Sequence, residues 1–208
     1  MTSPERSTSP AQQYADRSYR SPAALAGGAL LILLGLWLGI DAVLRGTPAT
    51  KLTAVFALLL AVPLITAFSL RPQVRANDDR LLVRNPFRTI VLPWSAVEDL
   101  RAAFSAEVFT HDGTKYQLWA VPVSLRQRKK ATRQAARGAA GRPRFGLNAD
   151  TGPVPKAMAD QTLAELRDLK DRAAHRDTAQ GDPEVRWSYA ILAPAAVGAV
   201  GLAVTLLL

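Results

Sequence analysis

Three long stretches without a charged side chain constrain this chain more than any other feature. Pro22–Ile40 and Leu52–Leu70 are each 19 residues long, and Trp187–Leu208 is 22. At 1.5 Å of rise per residue, such a helix reaches about 28 Å or more, close to the thickness of bilayer hydrocarbon. Helices buried in soluble domains rarely go so long without a polar face. The stretches therefore predict three transmembrane helices. Pro63 and Pro194 are compatible with this, because membrane helices tolerate proline better than soluble ones do. Trp37, Trp187 and Tyr189 lie near block ends, where amphipathic aromatics favour the interface. A cleaved signal peptide is the rival explanation of the first block, and its leader, with Arg6, Arg17 and Arg20, suits one. The block is too long for that role, no clean A-x-A site follows it, and the next block begins within a dozen residues.

The connector Asp41–Lys51 is short, which predicts a helical hairpin from the first two blocks. Basic residues near membrane helices mark the cytoplasmic side. Arg71 and Arg75 directly follow the second block, and Arg186 directly precedes the third. The whole 71–186 segment holds 21 Lys+Arg against 14 Asp+Glu. This puts the amino terminus and the central segment in the cytoplasm and the carboxyl terminus outside. The first residues are rich in Ser, Pro, Thr and Gln and read as a disordered tail, 1–21.

Between the second and third blocks the period of the apolar residues shortens. Short β-prone runs separated by turn residues predict strands: Gln73–Ala76, Arg80–Arg84, Thr89–Leu92, Glu107–Thr110 and Thr114–Val121. Asn77-Asp78-Asp79 and Asn85-Pro86 are the expected turns, and Asp112-Gly113 between two β-prone runs is a strong hairpin signal. Leu81 with Val83, and Ile90 with Leu92, share strand faces. Ser95 is placed to cap a short helical turn over SAVEDL, and Trp94 to close the open end of the sheet, with ligand stacking as its alternative role. A sheet of this size has an unfinished core, so a helix or a second copy is expected to cover it.

The run Asp79–Leu100, DRLLVRNPFRTIVLPWSAVEDL, resembles the bacterial PH-like domain of small actinobacterial membrane proteins, the low-molecular-weight protein antigen 6-like family. The preceding apolar hairpin and the later Asp112-Gly113 belong to the same pattern; Arg80 departs from it, standing where glycine is common. The resemblance covers about Ser69 to Pro122. It implies a PH-like half barrel and no catalytic residues.

Arg126–Arg144 carries eight basic residues and no acid. Tethered near an anionic leaflet, each such residue contributes about 1 kcal/mol of attraction. Arg126, Arg128, Lys129, Lys130, Arg133 and Arg137 are therefore the candidate anionic-lipid contacts. After a linker, Ala159–Ala174 reads as a short helix with Leu163, Leu166 and Ala173 near one face, an Asp168–Arg172 pair, and Thr162-x-x-Glu165 as a capping box. His175 reads as solvated. Gly35-x-x-x-Gly39 is a weak helix-packing motif.

No cysteine is present, and only two histidines. That excludes disulfides, thiolate nucleophiles and cysteine-based metal sites. No phosphate loop, H-E-x-x-H or G-x-S-x-G motif occurs, so neither an enzyme nor a cofactor or metal is expected. The expected class is a membrane α-helical protein with three transmembrane helices plus a small cytoplasmic, mainly-β PH-like domain. Its parts are the tail 1–21, the hairpin 22–70, the β domain 71–125, the basic segment and linker 126–157, the amphipathic helix 158–176 and the third span 187–208. The expected function is to present a PH-like module at the cytoplasmic face of the plasma membrane for a protein or lipid partner. The expected partners are the lipid bilayer, anionic headgroups and a membrane or cytoplasmic protein. The alternative is a nucleic-acid or ribosome contact through 126–144, disfavoured because no aromatics interleave with its basic residues.

Overall fold

The computed structural model describes residues 17–102, 104–123 and 158–207. Three helices are long and apolar enough to cross a membrane. α1 is Pro22–Arg45, α2 is Pro48–Ile65, and the last helix, α4, is Tyr189–Leu207. Ser21 and Thr47 cap α1 and α2: each hydroxyl accepts from the backbone N–H three residues on, and a proline follows each cap. Only Gly46 and Thr47 separate α1 from α2, so the expected hairpin is present. α2 continues into a widened π turn, Thr66–Leu70, closed by Arg71 N donating to Thr66 O at 2.9 Å.

Glycines let these helices approach one another. A Cβ on Gly39 would lie 2.5 Å from Leu58 of α2, and one on Gly28 would lie 2.3 Å from Ser69 of the π turn. Gly35 faces open space, so the two glycines of the G-x-x-x-G motif do not act together within the chain. The closest packing involves a pair that the motif search missed, Gly198 and Gly201 of α4 against α2.

Two antiparallel sheets form the β domain. The strands are β1 Arg17–Tyr19, β2 Gln73–Ala76, β3 Arg80–Arg84, β4 Arg88–Pro93, β5 Val97–Ala102, β6 Ala106–Thr110, β7 Lys115–Gln117 and β8 Glu184–Trp187. One sheet has the order β1-β2-β3-β4-β8 and the other β5-β6-β7. The expected alternation holds: Leu81, Val83, Ile90 and Leu92 are fully buried and share the core with Val97, Leu100 and Val108. Asn77 builds the β2–β3 turn, its Oδ1 accepting from Asp79 N (3.0 Å) and Arg80 N (2.8 Å). Gly113, at φ +79°, permits the β6–β7 turn in a backbone conformation open to glycine. Asp112 braces that turn from the Thr110 hydroxyl and Thr114 N, contacts that hold its carboxyl below the usual range.

The cover anticipated for the small sheet is a helix, α3 (Met158–Ala173). Ala159, Leu163, Leu166, Leu169 and Ala173 recur at helical spacing and are all buried in the core. Arg167 donates to Leu100 O, and Lys170 Nζ donates to Glu98 O at 2.5 Å. The expected Asp168–Arg172 pair is present at 2.8 Å.

Several expectations need correction. Residues 17–19 do not belong to a disordered tail: they pair with β2 in register Arg17↔Ala76 to Tyr19↔Val74. SAVEDL is not a helical turn. After a single 3₁₀ turn, Trp94–Ala96, it enters β5, because pairing with β6 satisfies its backbone better than a local cap does. Thr162 lies inside α3, which begins at Met158, so it caps nothing. Trp187 ends β8 rather than starting the third apolar helix, which begins at Tyr189. The folded β domain also extends past 71–125, since β1, α3 and β8 are integral to it.

Tyr19 joins β1 to α3, its hydroxyl donating to Glu165 Oε2 at 2.7 Å. Burial first, then the Glu165 hydrogen bond and charge, push its pKa up to about 12. A pKa raised on folding stabilises fully below the unfolded value, ordinarily near 10, and that stability is lost as pH rises toward the folded one. The β1–α3 contact is therefore expected to loosen between about pH 10 and 12. A tyrosinate absorbance titration checks this. Tyr19→Phe should remove the latest-titrating component, and an unchanged titration would contradict the assignment.

Candidate functional site

The five-stranded sheet and the apolar helices share an edge. β1 leads through Arg20 and Ser21 into α1, α2 leads through Arg71 and Pro72 into β2, and β8 leads through Ser188 into α4. Ser188 seals that last junction, its N–H donating to Phe87 O (2.8 Å) while its own carbonyl accepts from Ile191 and Leu192 of α4. Each of these strands thus meets its helix within about two residues, and the β3–β4 turn, 85–87, sits among the helix ends.

Arginines line this edge. The registers Gln73↔Arg84, Arg84↔Thr89 and Thr89↔Arg186 place one row across β2, β3, β4 and β8. Arg20 extends the row by donating to Gln73 Oε1 at 2.7 Å. Arg71 reaches in from the end of the π turn, donating from Nε to Asn85 O (3.0 Å) and from a terminal nitrogen to Thr89 Oγ1 (2.9 Å). Burial, and after it the charge of Arg84, hold the Arg71 guanidinium below its ordinary range. Among the described residues, no acid pairs with Arg20, Arg71 or Arg84, whereas Arg186 is paired with Glu184 at 2.6 Å.

Aromatic rings gather at the same edge. Phe68, Phe87 and Trp119 meet with centroids 5.3 and 5.5 Å apart, and Trp187 and Tyr189 are more than half exposed.

The opposite end of the domain holds a cavity of ≈ 700 Å³ between the 3₁₀ turn and α3, lined by Trp94, His111, Lys170, Asp171, His175 and Gln180. It gathers both histidines of the chain, and His175 is exposed, as expected. Trp94 is fully buried and its Nε1 donates to Asn77 O at 2.8 Å, which gives it the core role expected of it. Among the described residues, no group of three or more metal-ligating side chains occurs.

The candidate lipid contacts Arg126, Arg128, Lys129, Lys130, Arg133 and Arg137 lie outside the described residues. The arginine row was missed by sequence reasoning because its members come from separated segments. The only linear trace is the basic residue flanking each apolar block.

No curated protein matches the chain, and no solved structure does. Residues 71–144, however, match the family described as bacterial PH domain; the described part of that match supplies β2 to β7, which with β1, α3 and β8 make up a PH-like β domain.

Proposed function

We propose that this chain is a non-enzymatic integral membrane protein that presents its PH-like module at the cytoplasmic face, where the module binds a lipid or protein partner. The observation that carries the reading is the direct connection of β1, β2 and β8 to the three apolar helices. A sheet tied at three points of one edge cannot swing away from the surface that the helices enter. PH domains are binding modules, which suits a platform held at a surface and assigns it no chemistry. The orientation follows from charge. Arg20, Arg71, Arg84 and Arg186 gather at the sheet edge, while the other end of the α1–α2 hairpin carries Arg45, the last residue of α1, and Lys51, in the first turn of α2, and Arg45 is paired with Asp41 at 3.1 Å. The basic end of a membrane bundle faces the cytoplasm. Within this reading the basic segment Arg126–Arg144 lies along the inner leaflet, with Arg126, Arg128, Lys129, Lys130, Arg133 and Arg137 as lipid contacts. The resemblance to the actinobacterial membrane family is consistent with this placement.

Alkaline carbonate washing of membranes should leave the full chain in the pellet. A reporter fused after Leu208 should be active only on the outer side, and cytoplasmic activity of that fusion would reverse the topology.

A further inference from the structure

Below the arginine row, the outer face of the five-stranded sheet carries a groove of ≈ 500 Å³. Its floor is apolar, made by Leu82 and Val91, and its charged lining is Arg80, Arg84, Arg186 and Glu184. Three arginines against one carboxylate leave a net +2, and Glu184 is already engaged with Arg186 (Nε to Oε1, 2.7 Å). Arg71 adds a further charge at the rim through its bond to Thr89, which lines the groove. The Nε of Arg80 is buried with no hydrogen-bond partner among the described residues. Holding like charges together around a partly desolvated groove is unfavourable unless an anion joins them. Guanidinium groups are the side chains best shaped to take a phosphate oxygen pair, and the hydroxyls of Thr89 and Ser188 stand in the same lining as donors.

Position identifies the source of the phosphate. Ser188 lies between β8 and the start of α4, and Arg71 directly follows the end of the π turn, so one end of the groove opens at the helix termini. Trp187, about half exposed, lines that end too. A free phosphate has no use for an apolar floor or an interfacial tryptophan, whereas a lipid headgroup with its glycerol backbone matches both.

We propose that this groove is a binding site for the phosphate of an anionic phospholipid of the adjoining leaflet, with Arg84 and Arg186 flanking the phosphate and Thr89 donating to it. The site rests on the membrane-spanning reading and deepens it by naming the ligand and the side chains that hold it. It differs from the general positive-inside effect in requiring particular arginines on one sheet face.

The test uses the full chain, purified, stripped of lipid and returned to nanodiscs of phosphatidylcholine alone or with phosphatidylglycerol. Phosphatidylglycerol should raise the unfolding temperature and remain bound in native mass spectrometry. R84Q/R186Q should weaken that retention at least about tenfold, as expected for losing two charge-assisted contacts. R84K/R186K, which keeps the charge but loses the paired donors, should give intermediate retention. An unfolding temperature of R84Q/R186Q in phosphatidylcholine alone no lower than the parent's controls for folding, and R45Q, at the far end of the bundle, should leave retention unchanged. Equal stability and retention in both lipids, or losses as large for R45Q as for R84Q/R186Q, would overturn the site. So would inorganic phosphate reproducing the whole stabilisation in phosphatidylcholine, because the ligand would then be free phosphate. Carbonate extraction of the wild-type chain separates the two levels. Release into the supernatant defeats the membrane reading itself, whereas retention without lipid preference defeats only the groove.

Discussion

Trp94→Ala is expected to cost about 3–5 kcal/mol, the range for deleting a large aromatic from a packed core. The ring is fully buried and stands where β4 turns into β5, at the junction of the two sheets. Its indole N–H also satisfies Asn77 O at 2.8 Å, and Asn77 in turn organises the β2–β3 turn through Asp79 N and Arg80 N. Truncation therefore removes core volume and the indole hydrogen bond to Asn77 O. Trp94→Phe separates the two losses. It keeps most of the apolar area and forfeits the hydrogen bond, so a smaller cost of about 1–3 kcal/mol is expected. Denaturant unfolding of the full chain in detergent, followed by the near-ultraviolet signal, measures both. A cost below about 1 kcal/mol for the alanine variant would show that the ring is not core.

The parts of this fold that were readable from sequence are those in which one short segment carries its own signal. Uncharged runs about as long, as helices, as bilayer hydrocarbon is thick leave few alternatives to an apolar helix. Leu81, Val83, Ile90 and Leu92 announce buried strand faces by alternation, and Asp112-Gly113 announces its hairpin by the backbone freedom of glycine. The parts that were not readable depend on pairing at long range. Arg17-Ser18-Tyr19 looks like the polar tail that precedes it, and becomes a strand only because β2 offers an unpaired edge and Glu165 a partner for Tyr19. Ser95 carries a helix-cap signal, but Val97–Ala102 is claimed by β6. The candidate site shows the same division. A linear run of basic residues such as Arg126–Arg144 is conspicuous. A row built by register from Arg84, Thr89 and Arg186 has no linear signature, because roughly a hundred residues separate β8 from β4 in the sequence.

Gly198→Ala is expected to disrupt the packing of α4 on α2, by about 1–3 kcal/mol or more on the scale for overpacked interiors. A Cβ at this position would lie 2.5 Å from Leu60 N, 2.8 Å from Leu59 C and 2.9 Å from Leu60 Cα. All three are backbone atoms, which cannot rotate aside as a side chain would, so the helices themselves must separate. Under the membrane-spanning reading proposed above, helices gain little from the hydrophobic effect against lipid and rely on close van der Waals contact, so widening the gap removes what joins α4 to α2. Gly201 provides a graded comparison. Its added Cβ would meet the Phe56 ring at 2.2 Å, a side chain able to turn, so Gly201→Ala should cost less. Gly35 faces open space on α1, and Gly35→Ala should fall within about 0.5 kcal/mol of the parent, as surface substitutions do. Thermal unfolding of the three variants in one detergent should give the order Gly198 worst, Gly201 intermediate, Gly35 neutral. Equal shifts at Gly198 and Gly35 would mean that α4 does not pack on α2 through this face. Because α4 follows β8 with only Ser188 between them, a displaced α4 should also strain the pairing of β8 with β4. Gly198→Ala alone of the three is then expected to increase hydrogen exchange at the β8 amides, a readout within the sheet for a change made inside the helical bundle.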